Sequence, residues 1–544
     1  MTDSQTTLYS AFADTVSLYP GKVALKFKEK DGEYESITYS GLEERVVSLA
    51  VALMGIGIAK GDRVAIFAYH GPEWVIADLA AARVGAIVVP LYHTLTAESA
   101  WHTMSVSGCK LAFVEGRRLF EKVEGIRGNL PDLQTVVVFD TAGMEEGQSF
   151  VSFSDLVEAG SRERGQGQLP TWPAVSPEDV ATIIFTSGTT GEPKGVMLTH
   201  ANILTTAYAA IERFHINSED VFLSFLPVSH VFEKTCGYYA MLLAAVTIAY
   251  AQDLSTITRD IQEIRPTVVI VVPRIIQGAF EAVQRKLRRA SPFKRDLIRR
   301  GTKALTLYAS LKRHGRPVPF GLKLKHFIYD RLVGAKFRKI AGGRIRGMVS
   351  GGAPLERHLS EIVIAMGIDI VEGYGLTEAA PLVSANSIEH NVIGTVGKPF
   401  EHVVVRIGKD DEILVRGPNV MKGYYNDPEA TAEVIDADGW LHTGDQGKFD
   451  ADGNLIITGR LKEIIVTSHG KNIAPFPIER RIKESRYIHQ CMLCGDNEKS
   501  ITSLVVPEQS AVERFAEEKH IEVDDYDSLL TTTPIKNLIT REIE

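Results

Sequence analysis

Residues Val180–His200 read VATIIFTSGTTGEPKGVMLTH, and this stretch organises the rest of the chain. Val180, Ile183, Ile184 and Phe185 form an apolar, β-branched run of strand length. The run breaks into Thr186, Ser187, Gly188, Thr189, Thr190 and Gly191. Glycines tolerate positive φ, so successive backbone N–H groups can curl toward one point while the hydroxyls add further donors. Lys194 then brings a positive charge. Such a loop suits a polyphosphate. It differs from a Walker A loop, where the lysine is followed by Ser or Thr and opens a helix. Here Gly195 follows Lys194 and Pro193 precedes it, so no helix starts at the lysine and the loop is expected to stay open.

With 544 residues the chain is too long for one core, and two or more domains are expected. The composition, 44% apolar and 24% charged, is that of a globular protein rather than a disordered one. The N-terminus shows no basic segment followed by an apolar one, and the run Ala240–Ala251 falls short of the roughly 20 residues a membrane span needs. Four cysteines point to a reducing, cytoplasmic setting. Cys491 and Cys494 read as a pair on a buried strand rather than a metal or redox site.

Charge is unevenly spread. Between Glu281 and Arg346 there are 20 Lys/Arg against three acidic residues, a local balance of +17 in a chain whose net charge is −8. Anionic lipid head groups, the phosphates of CoA, or a solvated helical face each account for it. No recognition motif accompanies the charge, so nucleic acid is not an expected partner.

Residues 1–180 alternate helical patterns with short β-rich runs such as Val64–Phe67, Ala86–Pro90, Leu111–Val114 and Thr135–Phe139, the pattern of parallel βαβ units. A Gly/Arg/Gln/Pro-rich linker is expected over Gly160–Pro177. The alternation continues from Asn202 to Val272, with strand Val221–Leu226, then Pro227–His230 and a helix. Residues 275–346 form a basic helical region. Beyond it, Gly347–Ser350 ends in Gly351, Gly352, Ala353 and Pro354, and Asp369–Glu372 ends in Gly373, Tyr374, Gly375, Leu376, Thr377 and Glu378. Ligands of parallel α/β sheets gather outside the carboxyl ends of strands, so these loops converge on a candidate site. A β-rich part, all-β with hairpin turns, is expected over about 390–459, and a small α+β domain after a boundary at Lys462.

Activation of a carboxylate by ATP needs a grip on the triphosphate, a held Mg2+, a fixed nucleoside and an in-line approach. Glu378, a carboxylate on a strand-end loop, suits Mg2+, which is commonly bound by one carboxylate plus substrate phosphates. Asp445, in Leu441-His-Thr-Gly-Asp, suits the ribose hydroxyls, with Arg460 as its companion.

The strings TSGTTGEPKG (186–195), EGYGLTE (372–378), DGWLHTGD (438–445) and GRLKE (459–463) resemble, in order, the motifs of the adenylate-forming (AMP-binding) superfamily. Leu91–Thr94, Val272–Ile275, the basic insert and Gly470–Pro475 resemble the long-chain fatty acyl-CoA synthetases within it. The resemblance implies an α/β fold: a large N-terminal domain (1–461) of parallel α/β subdomains plus the β-rich part, and a small mobile C-terminal α+β domain (462–544) that is incomplete. It implies ATP, Mg2+ and CoA as cofactors and co-substrates, a fatty acid as substrate, and formation of acyl-AMP followed by a CoA thioester. It further implies that Tyr374 stacks on adenine, Thr377 contacts the α-phosphate, Gly351–Pro354 line the adenine and acyl pocket, and His230 neighbours the carboxylate. The catalytic set is then Thr186, Lys194, His230, Thr377 and Glu378. Lys462 matches the hinge, and Ser468, His469 and Gly470 border the pantetheine channel. One family feature has no counterpart: no lysine motif follows Leu504–Pro507, and Lys536, within TPIKNLIT, reads as an ordinary helix residue, so a chain cut short is expected. Two other readings stay open: acyl transfer to a carrier protein, and a catalytically weak nucleotide- or acyl-CoA-binding regulator. An anionic amphiphile is best collected at a membrane surface, so peripheral contact with an anionic inner membrane face through 281–346 is also expected.

Overall fold

Strand formation follows the apolar runs, and the sheet edges depart from the expected parallel pattern. The computed structural model describes residues 6–28, 32–145, 148–167, 169–186, 193–461, 465–466, 468, 472–473, 475–496, 498–521, 523 and 525–543, the side chains of 466, 472, 477 and 480 excepted. They divide into two compact units, residues 1–404 with 415–441 and residues 405–414 with 442–544.

The larger unit holds two sheets. One runs in the order Lys398–Pro399, Leu382–Ala385, Asp369–Gly375, Gly347–Ser350, Val268–Val271, Val221–Ser224, Thr247–Tyr250, Val23–Lys28, Tyr34–Thr38. Its interior strands pair in parallel and its edges are antiparallel. Val268–Val271, Thr247–Tyr250 and Gly347–Ser350 are buried at every position, as strands covered on both faces must be. The other sheet runs Gly423–Tyr424, Lys194–Thr199, Val180–Thr186, Ile87–Leu91, Arg63–Phe67, Cys109–Val114, Thr135–Val138, Val151–Ser152. Phe67, Leu91, Val114 and Phe120 pack in its core, each worth about 1.5–3 kcal/mol of apolar burial.

Three local expectations change. Gly160 belongs to the helix Phe153–Gly165 rather than to a linker, and glycine is required there because a Cβ would sit 1.9 Å from the Ser48 carbonyl oxygen of a packed helix. The part expected to be all-β contains the helix Pro428–Val434, capped by the Asp427 carboxylate. The segment after His230 opens as a buried π-helix, Glu233–Tyr239, before a short α-helix. Residues 405–414 group with 442–544 in the smaller compact unit, because the strand Glu412–Arg416 pairs with the strand Leu441–Phe449.

The smaller unit carries the sheet Val404–Ile407, Glu412–Arg416, Leu441–Phe449, Leu455–Arg460 and the hairpin Ile488–Cys494/Thr502–Pro507. Cys491 and Cys494 lie on that hairpin as free thiols. The helix Thr533–Ile543 buries Ile535 and Leu538 and leaves Lys536 exposed, as its amphipathic pattern requires.

Candidate active site

The strand Val180–Thr186 returns as a hairpin. Val180–Thr186 pairs antiparallel with Lys194–Thr199, placing Thr186 opposite Lys194. Ser187, Gly188, Thr189, Thr190 and Gly191 lie outside the described residues, so Thr186 and Lys194 mark the two feet of the loop. Gly195 permits this closure: a Cβ there would meet Ile183 at 2.8 Å and the Phe185 ring at 3.2 Å. Thr199 and Asn202 then form a capping box for the helix His200–Arg213. The same Asn202 donates Nδ2 to the carbonyls of Pro418 (2.8 Å) and Val420 (3.0 Å), which brings a distant segment to the hairpin.

That segment ends in Tyr424, a residue the motifs did not single out. Gly423 and Tyr424 pair with Met197 and Val196, and the Tyr425 N–H donates to the Gly195 carbonyl (2.7 Å). The Tyr424 ring lies 5.3 Å from Lys194 Nζ, and its hydroxyl donates to Glu378 Oε1 at 2.9 Å. Burial pushes the Tyr424 phenol far up, and the Glu378 carboxylate pushes it further, so it remains a donor throughout the physiological range. Glu378 sits in the turn Thr377–Ala379 that follows strand Asp369–Gly375, and its carbonyl accepts from the Met421 N–H (2.8 Å). Glu378 and the loop lysine, far apart in sequence, therefore both contact one tyrosine, the lysine over its ring face and the carboxylate at its hydroxyl. Oε2 of Glu378 has no hydrogen-bond partner among the described residues, which fits a hard-oxygen ligand for Mg2+.

Gly351–Pro354 and Gly373–Gly375 are neighbours because their strands pair, Ser350 opposite Glu372. The Glu372 carboxylate fixes the first loop by accepting from the Leu355 N–H (3.1 Å). Gly351 meets the His230 loop, since a Cβ there would lie 2.9 Å from the Phe232 ring. Tyr374 occupies the half-buried end of its strand, and a Cβ on Gly375 would collide with the Pro381 carbonyl oxygen at 1.7 Å. His230 Nδ1 accepts from the Phe232 N–H (3.1 Å), so the neutral ring carries its proton on Nε2. Surrounding protein lowers the His230 pKa while the ring stays accessible, and it can serve as a neutral hydrogen-bond donor. Phe232 also borders a small apolar void of about 20 Å³, lined with it by Phe214, Cys236, Met241, Ile270 and Val349 and too small for more than about one water molecule.

The π-helix beside this cavity holds a buried polar cluster. Lys234 pairs with Asp78, whose other oxygen accepts from the Tyr238 hydroxyl (3.0 Å) and from Tyr239. Glu233 accepts from the Ser224 hydroxyl at 2.6 Å. The sequence carries a signal for both acids: Asp78 interrupts WVIADLAAARV, and Glu233-Lys234 interrupts an apolar run, each a charge where the pattern demands burial.

In the smaller unit, Asp445 and Arg460 are cross-strand partners, with Arg460 Nε 3.0 Å from Asp445 Oδ1. The Asp445 residue is buried, its N–H donating to Thr443 Oγ1 (3.1 Å), and Thr443 in turn donates to the Ile413 carbonyl (2.7 Å). Ser468 is exposed; Lys462, His469 and Gly470 lie outside the described residues.

The AMP-binding enzyme family matches residues 12–425, and the AMP-binding enzyme C-terminal domain matches 462–526. The chain is 34% identical over 486 residues to a long-chain-fatty-acid–CoA ligase of Mycobacterium bovis, covering 89% of this chain and 79% of that protein. It is 31% identical over 546 residues to fatty acyl-CoA synthetase A of Dictyostelium discoideum, covering 95% and 79%. Among solved structures, an anthranilate CoA ligase in complex with anthranoyl-AMP superposes with a TM-score of 0.75 at 18% identity, over 99% of this chain and 90% of that one. ATP-bound MatB from Rhodopseudomonas palustris gives 0.72 at 23% identity, over 96% and 93%. These two likenesses concern the fold.

Proposed function

The chain belongs to the AMP-binding enzyme family, and from that premise we propose that its acid substrate is a long-chain fatty acid. The reaction class is that of an AMP-forming acyl-CoA ligase using ATP, Mg2+ and CoA. The acid's carboxylate attacks the α-phosphate, forming acyl-AMP and releasing pyrophosphate. The CoA thiol then attacks the acyl carbon, giving the thioester and AMP. Mg2+, when bound, supplies charge neutralisation of the phosphates, and Glu378 is the residue that would hold it.

The remaining assignments are proposals of the same reading. Thr186, Lys194 and the loop between them bind the β- and γ-phosphates, with the lysine charge offsetting the charge of departing pyrophosphate. Thr377 orients the α-phosphate, and Tyr374 stacks on adenine beside Gly351–Pro354 and Gly373–Gly375. Asp445 accepts from the ribose hydroxyls, held in place by Arg460. His230 donates Nε2–H to the incoming carboxylate, which sets its attacking oxygen. Lys462 is the hinge, and Ser468–Gly470 border the thiol's path. The observation that carries the reading is the single tyrosine on which the loop lysine and the Glu378 carboxylate both rest.

The test is a panel of acids of increasing chain length, assayed for pyrophosphate exchange and for AMP release with and without CoA. Exchange that grows with chain length, and acyl-CoA as the product, are expected. A preference for short or aromatic acids overturns the long-chain assignment. Exchange without thioester formation favours a carrier-protein acceptor, and no exchange at all favours a binding protein.

Membrane contact belongs to the same proposal. No described helix is long and apolar enough to cross a bilayer. The basic region nevertheless exposes Phe293 (80%) and Phe320 (82%), and Leu324, Phe327, Ile328 and Leu332 continue the exposed apolar surface. Apolar side chains among many cations fit the interface of an anionic bilayer, where each Lys/Arg near the surface adds about 1 kcal/mol. Charge reversal of Arg288, Arg289, Arg299 and Arg300 to Glu is expected to reduce co-sedimentation with phosphatidylserine-containing vesicles at least about tenfold. Binding to neutral vesicles is expected to be weak for both proteins. Unchanged sedimentation with anionic vesicles removes this part of the reading.

A further inference from the structure

The tyrosine between Lys194 and Glu378 has a function of its own. We propose that Tyr424 is a positioning residue: its hydroxyl aims Glu378 at a divalent cation, and its ring keeps the Lys194 ammonium from collapsing onto that carboxylate. This inference rests on the reading of Glu378 as the Mg2+ ligand.

The geometry supplies both halves. Tyr424 is itself rigidly placed. Its backbone pairs with Val196, its N–H donates to Thr431 Oγ1 (2.9 Å), and the residue is 9% exposed. Gly423 before it has a φ of +140°, and a Cβ at that position would lie 2.9 Å from Thr431, so the approach requires glycine. From this fixed ring the hydroxyl reaches Glu378 Oε1 at 2.9 Å and leaves Oε2 open among the described residues. A carboxylate tied at one oxygen has its orientation set before the cation arrives. Such supporting hydrogen bonds alter metal affinity by about 10–100-fold.

The second half concerns charge. Lys194 and Glu378 contact the same ring, and a direct ion pair between them would satisfy both and oppose the binding of cation and phosphate alike. No Lys194–Glu378 ion pair forms among the described residues; Lys194 lies over the ring face at 5.3 Å, and the carboxylate is engaged at the ring's hydroxyl end. The ring face attracts the ammonium weakly enough to release it to a phosphate. One side chain thus keeps the two opposite charges adjacent and available.

Tyr424→Phe removes the hydroxyl and keeps the ring; Tyr424→Leu removes both. Titration calorimetry with Mn2+·ATP, and with ATP in EDTA, separates the effects. Tyr424→Phe is expected to bind Mn2+·ATP about tenfold more weakly and metal-free ATP normally, with its pyrophosphate exchange restored by excess Mg2+. Tyr424→Leu is expected to weaken metal-free ATP binding as well. Wild-type affinity for Mn2+·ATP in Tyr424→Phe overturns the inference, as does an equal loss with and without metal, which marks a merely structural residue. If Tyr424→Leu does not fold, Tyr424→Phe decides alone. Glu378→Gln provides the reference. Should it keep the wild-type metal dependence, the reading of Glu378 falls; should only Tyr424→Phe keep it, Tyr424 alone is misassigned.

Discussion

Replacing Lys234 with Met is expected to destabilise the larger unit by about 3–5 kcal/mol. Lys234 and Asp78 are each 1% exposed and pair across 156 residues of sequence, joining the helix Pro72–Val84 to the π-helix Glu233–Tyr239. Burial pulls the Lys234 pKa down, and the Asp78 carboxylate beside it partly opposes that shift. The ammonium also lies 4.5 Å from the centre of the Trp74 ring, so little water remains to replace it. Without the lysine, Asp78 keeps only the two tyrosine hydroxyls for a buried charge. The double variant Asp78→Leu/Lys234→Met removes both charges and is expected to recover about half of the loss, the rest reflecting the orphaned hydroxyls of Tyr238 and Tyr239. All four tryptophans, Trp74, Trp101, Trp172 and Trp440, lie in the larger unit, so urea unfolding followed by their fluorescence reports on it. A loss below about 1 kcal/mol in the single variant means that the pair contributes no more than a surface ion pair.

Glu233→Gln is expected to change the pH dependence of stability rather than its value in acid. Burial pushes the Glu233 carboxyl up to about 8, against an unfolded value near 4.5, and the Ser224 hydroxyl pulls it only partly back. The folded chain therefore binds this proton more tightly than the unfolded chain. The protonated acid's contribution is fully present below about pH 4.5 and is lost as pH rises toward about 8, beyond which the curve is flat. Each pH unit in that window costs roughly 1 kcal/mol. Other groups titrate nearby. Glu115 is raised to about 7 by burial, and His200 is lowered to about 4, so the wild-type curve alone is a composite. The difference between wild type and Glu233→Gln isolates the one carboxyl. Gln keeps the acceptor for Ser224 without a charge to desolvate, so the variant is expected to gain on the wild type steadily between pH 6.5 and 8. Parallel stability curves across that interval count against a neutral Glu233.

What the sequence determined by itself is local. Strands announce themselves by short apolar runs, and the loops at their ends by Gly, Ser and Thr. The hairpin feet Thr186 and Lys194, the Thr377–Glu378 turn and the Asp445/Arg460 pair were all legible from such segments, because each is specified within a few residues of a strand end. The missed helix at Pro428–Val434 and the displaced linker at Gly160 are errors of the same short range, where propensity yielded to packing. Tertiary structure alone decided which segments meet. Nothing in Gly423-Tyr424-Tyr425-Asn426 marks the first tyrosine as the bridge between Lys194 and Glu378. That role exists because Asn202 and the Lys194–Thr199 strand draw the segment alongside. Asp78 and Lys234 are each visible as a charge in an apolar run, but a pattern of period two or 3.6 carries no address for a partner 156 residues away. Periodicity records which face of an element is buried; which other face it is buried against depends on sheet order, and that order is set by the packing of the whole unit.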